Sequence, residues 1–271
     1  MKLAVSNIAW DNAELPAHLV LLKALGCDGV ELAPSCIWNE PVDATPDERA
    51  DLKRLIADVG LDVVGFHALF YTRPDLQLFR DADSCRATID YLRRLIRLCG
   101  DLGGGVLVCG SPKNRVRHGR PQTECLSWAA DGFRSAAVDA ANAGVRLAIE
   151  PLPTKETEFI VSGDEGMELV DLVGHPNFGL HLDAKAMIEE GEDIECLLSK
   201  YGRRICHFHV GDPGLAPPGS TGLDHAPIGR ALNRAGYTGY VSIEMRHGFG
   251  PTVDVITRSV NYVRACYFRE S

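Results

Sequence analysis

Apolar runs of strand length and longer amphipathic stretches alternate along the chain eight times without a break. The runs are KLAVSNIAW, DGVELAP, LDVVGFHAL, GGVLVCGS, RLAIEP, FGLHLDA, ICHFHVGD and YVSIEMR. They are near-continuously apolar rather than alternating in polarity, as strands covered on both faces must be, and such strands are parallel. Between and after them, helices are predicted from Pro16 to Leu25, Thr45 to Val59, Asp83 to Leu102, Thr123 to Ala143, Gly163 to Val173, 192 to 201, 226 to 235 and Val253 to Tyr267. Strict alternation of strand and helix makes a parallel sheet with right-handed crossovers. Eight such units in 271 residues predict an α/β fold, a single-domain (β/α)8 or TIM barrel spanning residues 1–271. A doubly wound open sheet usually has fewer strands, and no GxGxxG follows the first run. Gly26, Gly60, Gly144, Gly174, Gly202 and Gly236 stand just past the helices, where a C-cap needs positive φ.

Composition narrows the partners. With 45% hydrophobic residues the chain can bury a large core, and 28 basic against 37 acidic residues leave a net charge of −9. That balance offers no general attraction to nucleic acid or an anionic membrane. No run reaches the roughly 20 apolar residues of a membrane span, and Met1 leads straight into a strand, so a cytoplasmic protein is expected. The nine cysteines contain no CxxC pair and several lie inside apolar runs, which reads as small buried hydrophobes in a reducing compartment.

The longest irregular stretches, 70–82, 111–122, 151–162 and 211–225, all follow strands, whereas the connections into strands are short. A barrel built this way carries its site on the C-terminal face of the sheet. Four consecutive runs end there on Glu150, Asp183, His209 and Glu244. Buried carboxylates need a counter-charge, and one divalent cation would supply it for all of them. Three carboxylates and one imidazole form a hard donor set, favouring Mn2+, with Mg2+ or Co2+ next and Zn2+ last.

The segments IEPLPTKETEF, LHLDAKAM, HFHVGD and GLDHAPIGRALNRAGYTGYVSIEM resemble the xylose isomerase-like barrels of sugar isomerases and epimerases, the ketose 3-epimerases in particular. The resemblance covers essentially the whole chain, and the intervals of 33, 26 and 35 residues between the four candidate ligands look like those of the ketose 3-epimerases. It implies that Glu150, Asp183, His209 and Glu244 hold one divalent metal, and that Glu150 and Glu244 are also the catalytic pair. It further implies a small sugar-like substrate, with a dimer or tetramer carried over from the family. Moving a proton beside a carbonyl passes through a cis-enediolate, whose oxygen charge a Lewis acid stabilises while carboxylates on opposite faces exchange the proton.

Glu156 matches a family glutamate beside the reacting carbonyl, and His67 ends the third run facing the same way. His207 and His181, each two residues before a ligand candidate, point to the same side and lie deeper, orienting a ligand or filling the barrel. Trp10, Phe66 and Phe70 are candidate pocket walls. The resembling epimerases carry a histidine and an arginine where this chain has Ala186 and Leu215; Lys185 or His225 are the candidate replacements for substrate binding. The basic segment at 111–120, with Lys113, Arg115, Arg117 and Arg120, is a candidate holder of a substrate oxyanion, Lys113 first because it is nearest the strand end.

The activity expected is therefore a metal-dependent isomerase or epimerase. A lyase on the same scaffold is the alternative: an inosose or dehydroshikimate dehydratase, or an enzyme cleaving an oxidised glycoside. An abasic-site endonuclease shares the barrel but uses more histidines, and Ala186 and the Cys109–Gly110 strand end stand where further ligands would be. A metal-free binding barrel is the non-enzymatic reading.

Overall fold

A computed structural model describes residues 1–268. The strands are β1 (Lys2–Ser6), β2 (Gly29–Leu32), β3 (Asp62–Phe66), β4 (Val106–Cys109), β5 (Arg146–Ile149), β6 (Phe178–Asp183), β7 (Ile205–Val210) and β8 (Tyr240–Ile243). Each pairs in parallel with the next, and β1 pairs with β8 through Lys2 to Tyr240 and Val5 to Ile243, so the sheet closes into a barrel. The architecture is thus the single-domain TIM barrel expected from the alternation.

Helices α1 (Leu15–Ala24), α2 (Pro46–Val59), α3 (Ala82–Leu102), α4 (Gln122–Ala143), α5 (Gly163–Val173), α6 (Ala184–Glu190), α7 (Ile194–Tyr201), α8 (Ala226–Arg234) and α9 (Thr252–Tyr267) cover the barrel. Local signals set their limits. Thr45 caps α2 in a reciprocal capping box with Glu48, and Gly60 ends it in the left-handed region at φ 80°. Two expectations need correction. Among the described residues there are nine α-helices rather than eight: α6 starts without a loop, because Asp183, the last residue of β6, accepts a hydrogen bond from the Lys185 amide and so caps a helix directly. Gly202 is no left-handed cap; it sits at φ −53°, and a Cβ there would lie 2.3 Å from that of Ala235. Close packing, not φ, requires that glycine.

The core divides in two. A large cluster lies between the barrel and its helices, while Ala4, Val64, Val106 and Ala148 form a separate small one inside the sheet. Strand periodicity places Ala4 beneath Ser6 and Ala148 beneath Glu150, so this apolar plug is the floor on which the polar lumen is built. No helix among the described residues is long and apolar enough to cross a membrane. Burial pushes the thiols of Cys27, Cys109 and Cys206 up to about 12.

Candidate active site

Above the apolar floor the lumen holds two polar tiers. The lower contains Glu31, His181, His207 and Ser242; two residues further along the strands from His181, His207 and Ser242 come Asp183, His209 and Glu244, joined by Glu150 from the end of β5. The upper tier opens into a cavity of about 1080 Å3 whose walls include Glu150, Asp183 and Glu244, together with Glu156, Lys185, His67 and Lys113. One ligand atom each from Glu150, His209 and Glu244 fall within 4.8 Å of one another.

His209 is held in place from the lower tier. Its Nε2 donates to Glu31, 2.9 Å from Oε2 and 3.1 Å from Oε1, which turns Nδ1 toward Glu244. Nδ1 comes 3.2 Å from Glu244 Oε2, but out of line for a hydrogen bond, and it has no other partner. Glu31 also accepts from His207 Nε2 at 3.0 Å and from the Ser242 hydroxyl at 2.5 Å. Burial opposes the charge on Glu31, yet His209 and His207 hold its carboxyl well below the ordinary range.

Glu244 is fixed from the other side. His67 Nδ1 lies 3.0 Å from Glu244 Oε1, and His67 Nε2 lies 2.6 Å from the Ser6 hydroxyl. Burial again works against ionisation, but His209 and His67 hold Glu244 well below its usual pKa. Glu150 goes the opposite way: burial, then the charge of Glu244, raises it to about 8. The same two causes raise Asp183 to about 6. A buried carboxylate group that repels itself beside an orphan imidazole nitrogen is what a divalent cation would neutralise, so the residues fit the hard-metal set read from the sequence. His181 lies 3.7 Å from Glu150 Oε1 with both ring nitrogens unbonded, and burial followed by His209 pushes its pKa well down.

Close packing positions Glu150 as well. A Cβ on Gly110 would stand 2.0 Å from Glu150 Oε2, so only glycine at the end of β4 leaves the carboxylate its place. Arg115, fully buried, donates through Nη1 to the Glu150 carbonyl at 2.8 Å, and burial lowers its pKa to about 10.

Among the other residues expected at the site, Lys185 and Glu156 meet: Nζ lies 2.5 Å from Glu156 Oε1 and 3.1 Å from Glu189 Oε2. Lys113 lines the cavity, as do Trp10 and Phe70, whereas Phe66 is buried in the outer core. His225 does not reach the cavity. It is wholly buried, with Nε2 2.9 Å from Asp212 Oδ1 and Nδ1 2.9 Å from the Tyr267 hydroxyl, and so ties the loop after β7 to α9. The arginines of segment 111–120 do not gather around an oxyanion either. Arg117 pairs with Glu158, and Arg120 donates to the Phe79 and Arg80 carbonyls and pairs with Glu124. Glu31 does not end its apolar run and so carries no strand-end mark; the signal in the sequence is a carboxylate inside the run GVEL.

Comparison with known proteins agrees with the barrel fold. L-ribulose 3-epimerase of Mesorhizobium japonicum is 25% identical over 253 residues, covering 90% of this chain and 80% of that protein. Fructoselysine 3-epimerase of Shigella flexneri is 22% identical over 231 residues, covering 82% and 81%. The structure of D-psicose 3-epimerase with D-tagatose from Clostridium cellulolyticum H10 superposes with a TM-score of 0.84 at 18% identity, over 98% of this chain and 99% of that one, which establishes a common fold. The family described as xylose isomerase-like TIM barrel matches residues 19–266, nearly the entire barrel, and the chain belongs to that family.

Proposed function

We propose that the protein is a divalent-metal-dependent sugar isomerase or epimerase that moves a proton at a carbon beside a carbonyl, through a cis-enediolate. Membership of the isomerase and epimerase class of enzymes follows from its relatives, among them the 3-epimerases acting on L-ribulose, D-psicose and fructoselysine. The observation that carries the metal and the mechanism is the convergence of Glu150, His209 and Glu244 within 4.8 Å, in a cavity that Asp183 also lines.

Glu150, Asp183, His209 and Glu244 would hold the cation, Mn2+ being the best match to their donor set. When bound, it supplies Lewis acidity to the adjacent carbonyl and hydroxyl oxygens of the substrate. Glu150 and Glu244 reach the cavity from β5 and β8, and one takes the proton from the carbon while the other returns one. His67, anchored by Ser6, keeps the Glu244 carboxylate aimed, and Glu31 keeps His209 in one tautomer. The Lys185–Glu156 pair supplies donors and acceptors to the hydroxyl groups next to the reacting carbons.

The test is incubation with Mn2+ in D2O against ketoses, aldoses, inososes and 3-keto-glycosides, followed by mass spectrometry and NMR. Deuterium entering beside the carbonyl, lost in Glu150→Gln and Glu244→Gln, is the expected result. Bound metal without exchange in any substrate would overturn the mechanism.

A further inference from the structure

Three histidine rings pack together beneath the carboxylates. The ring centroids of His181, His207 and His209 stand 4.2, 5.0 and 5.3 Å apart, and one ligand nitrogen from each falls within 4.8 Å of the others. All three side chains are buried. Packing alone does not account for them. His181 bonds through neither ring nitrogen, and a buried polar atom without a partner costs about 1–3 kcal/mol, which an apolar side chain in its place would avoid.

Glu31, wholly buried, adds a carboxylate to the group: its Oε1 lies 3.0 Å from His207 Nε2 and 3.1 Å from His209 Nε2. Three imidazoles and one carboxylate make a closed set of four, the number and kind of donors that Zn2+ takes in a tetrahedral site. The upper tier has the reverse composition, three carboxylates and one imidazole, and suits a harder ion. The lower tier also has its own approach. A second cavity, of about 500 Å3, lies between Lys2, Asp62 and Tyr240 at the strand starts, and His207 takes part in its lining.

We infer that the lower tier is a second metal site, in which His181, His207, His209 and Glu31 take one imidazole-preferring divalent ion of the Zn2+ kind. On binding it, the Glu31 carboxylate changes from acceptor of the two Nε2 protons to ligand. His209 is common to both tiers, and a neutral imidazole offers one bare nitrogen while keeping its proton on the other. Holding the upper ion through Nδ1, His209 keeps its Nε2 proton on Glu31; holding the lower ion through Nε2, it keeps its Nδ1 proton beside Glu244 Oε2, 3.2 Å away. The two ions therefore exclude each other, and Zn2+ inhibits the Mn2+-dependent enzyme from beneath its active site. The lower site stands on its own geometry, whereas the exclusion also rests on the upper metal site proposed above.

Zn2+ is the probe, applied to the full-length protein. With Glu150→Gln and Asp183→Asn together, which weaken the upper site, calorimetric titration should give one Zn2+ per chain, and X-ray absorption should count three imidazole nitrogens around it. Adding His181→Leu, which strands no hydrogen-bond partner, should raise the Kd by about tenfold or more. If that variant unfolds, the imidazole count on the Zn2+-loaded parent protein decides instead. In the parent, saturating Mn2+ should raise the Zn2+ Kd by about fivefold or more, and Zn2+ should raise the Mn2+ Kd by the same factor. No Zn2+ bound in the double variant, sulfur ligands, fewer than three imidazoles, or a Kd indifferent to His181→Leu overturns the second site. Independent binding of the two ions overturns their exclusion. If the parent binds no Mn2+ while the double variant holds Zn2+ on three imidazoles, the reading of the upper site fails and the second site stands.

Discussion

Replacing Glu31 by Gln probes how the lower tier supports the upper. The exchange keeps the side chain's shape and removes its charge. Three donors converge on the Glu31 carboxylate: His207 Nε2, His209 Nε2 and the Ser242 hydroxyl. A glutamine has one oxygen to offer them and turns an NH2 group toward the remainder, so at least one buried donor loses its acceptor. Such a donor costs about 1–3 kcal/mol, partly offset because a buried charge has gone. In a chain of this size each kcal/mol lowers Tm by roughly 2–4 °C, so the loss should be roughly 2–12 °C. The larger consequence concerns His209, whose Nε2 proton loses its anionic acceptor, freeing the ring to change tautomer and turn Nδ1 away. Carboxylate partners of metal-binding histidines contribute about 10–100-fold to metal affinity. Calorimetric titration with Mn2+ should therefore give a Kd raised by about that factor, with far-UV circular dichroism unchanged. A folded Glu31→Gln protein that binds Mn2+ within twofold of the parent would refute the reasoning.

Three further outcomes are expected. Gly110→Ala places a methyl group where Glu150 Oε2 now sits, so it should weaken Mn2+ binding and deuterium exchange by at least about tenfold, the scale of losing support for a ligand, with the fold retained; normal values would show that Glu150 can relocate. His225→Ala removes the hydrogen bonds to Asp212 and to the Tyr267 hydroxyl and should cost about 1–3 kcal/mol in thermal or denaturant unfolding, with KM for a turned-over substrate nearly unchanged; a selective rise in KM would return His225 to the site. The metal-free protein should lose stability as pH rises from 6.5 to 8. Folded Glu150 keeps its proton up to about 8 while the unfolded chain releases it near 4.5, and His209, held well above 6.5, loses its ion-pair contribution in the same direction. Saturating Mn2+ should abolish that decline in a series of melting curves, and a slope unaffected by metal would refute the carboxylate argument.

The barrel was legible because its signal is repeated: eight apolar runs, each followed by an amphipathic stretch, leave few arrangements open. The four upper-tier residues were legible for a related reason, since a charged residue ending an apolar run stands out in one dimension. What escaped has a common cause in three dimensions. Glu31 sits one residue before the end of β2, and its partners are roughly 180 to 210 residues away. His225 lies in a polar loop like any substrate-binding histidine, and only the folded chain brings Asp212 and Tyr267 to its two nitrogens. The arginines of 111–120 looked like a basic patch because nothing in the sequence says that carbonyls of 79 and 80 and the carboxylate of Glu158 come to meet them. Helix α6 was missed because Asp183 serves at once as strand end, helix cap and candidate ligand, leaving no loop to mark the boundary.

The hydrogen-bonded and ion-paired chain from Ser6 through His67, Glu244, His209 and Glu31 to Ser242 draws on β1, the end of β3, β8, β7 and β2. These strands flank the seam where the first and last segments of the polypeptide meet. The groups proposed to carry the reaction are thus also the clasp of the barrel. Substitutions in the clasp should loosen the joint between the two ends of the chain as well as slow the reaction, so selection for a tightly shut barrel and selection for an ordered reaction centre act here on the same side chains.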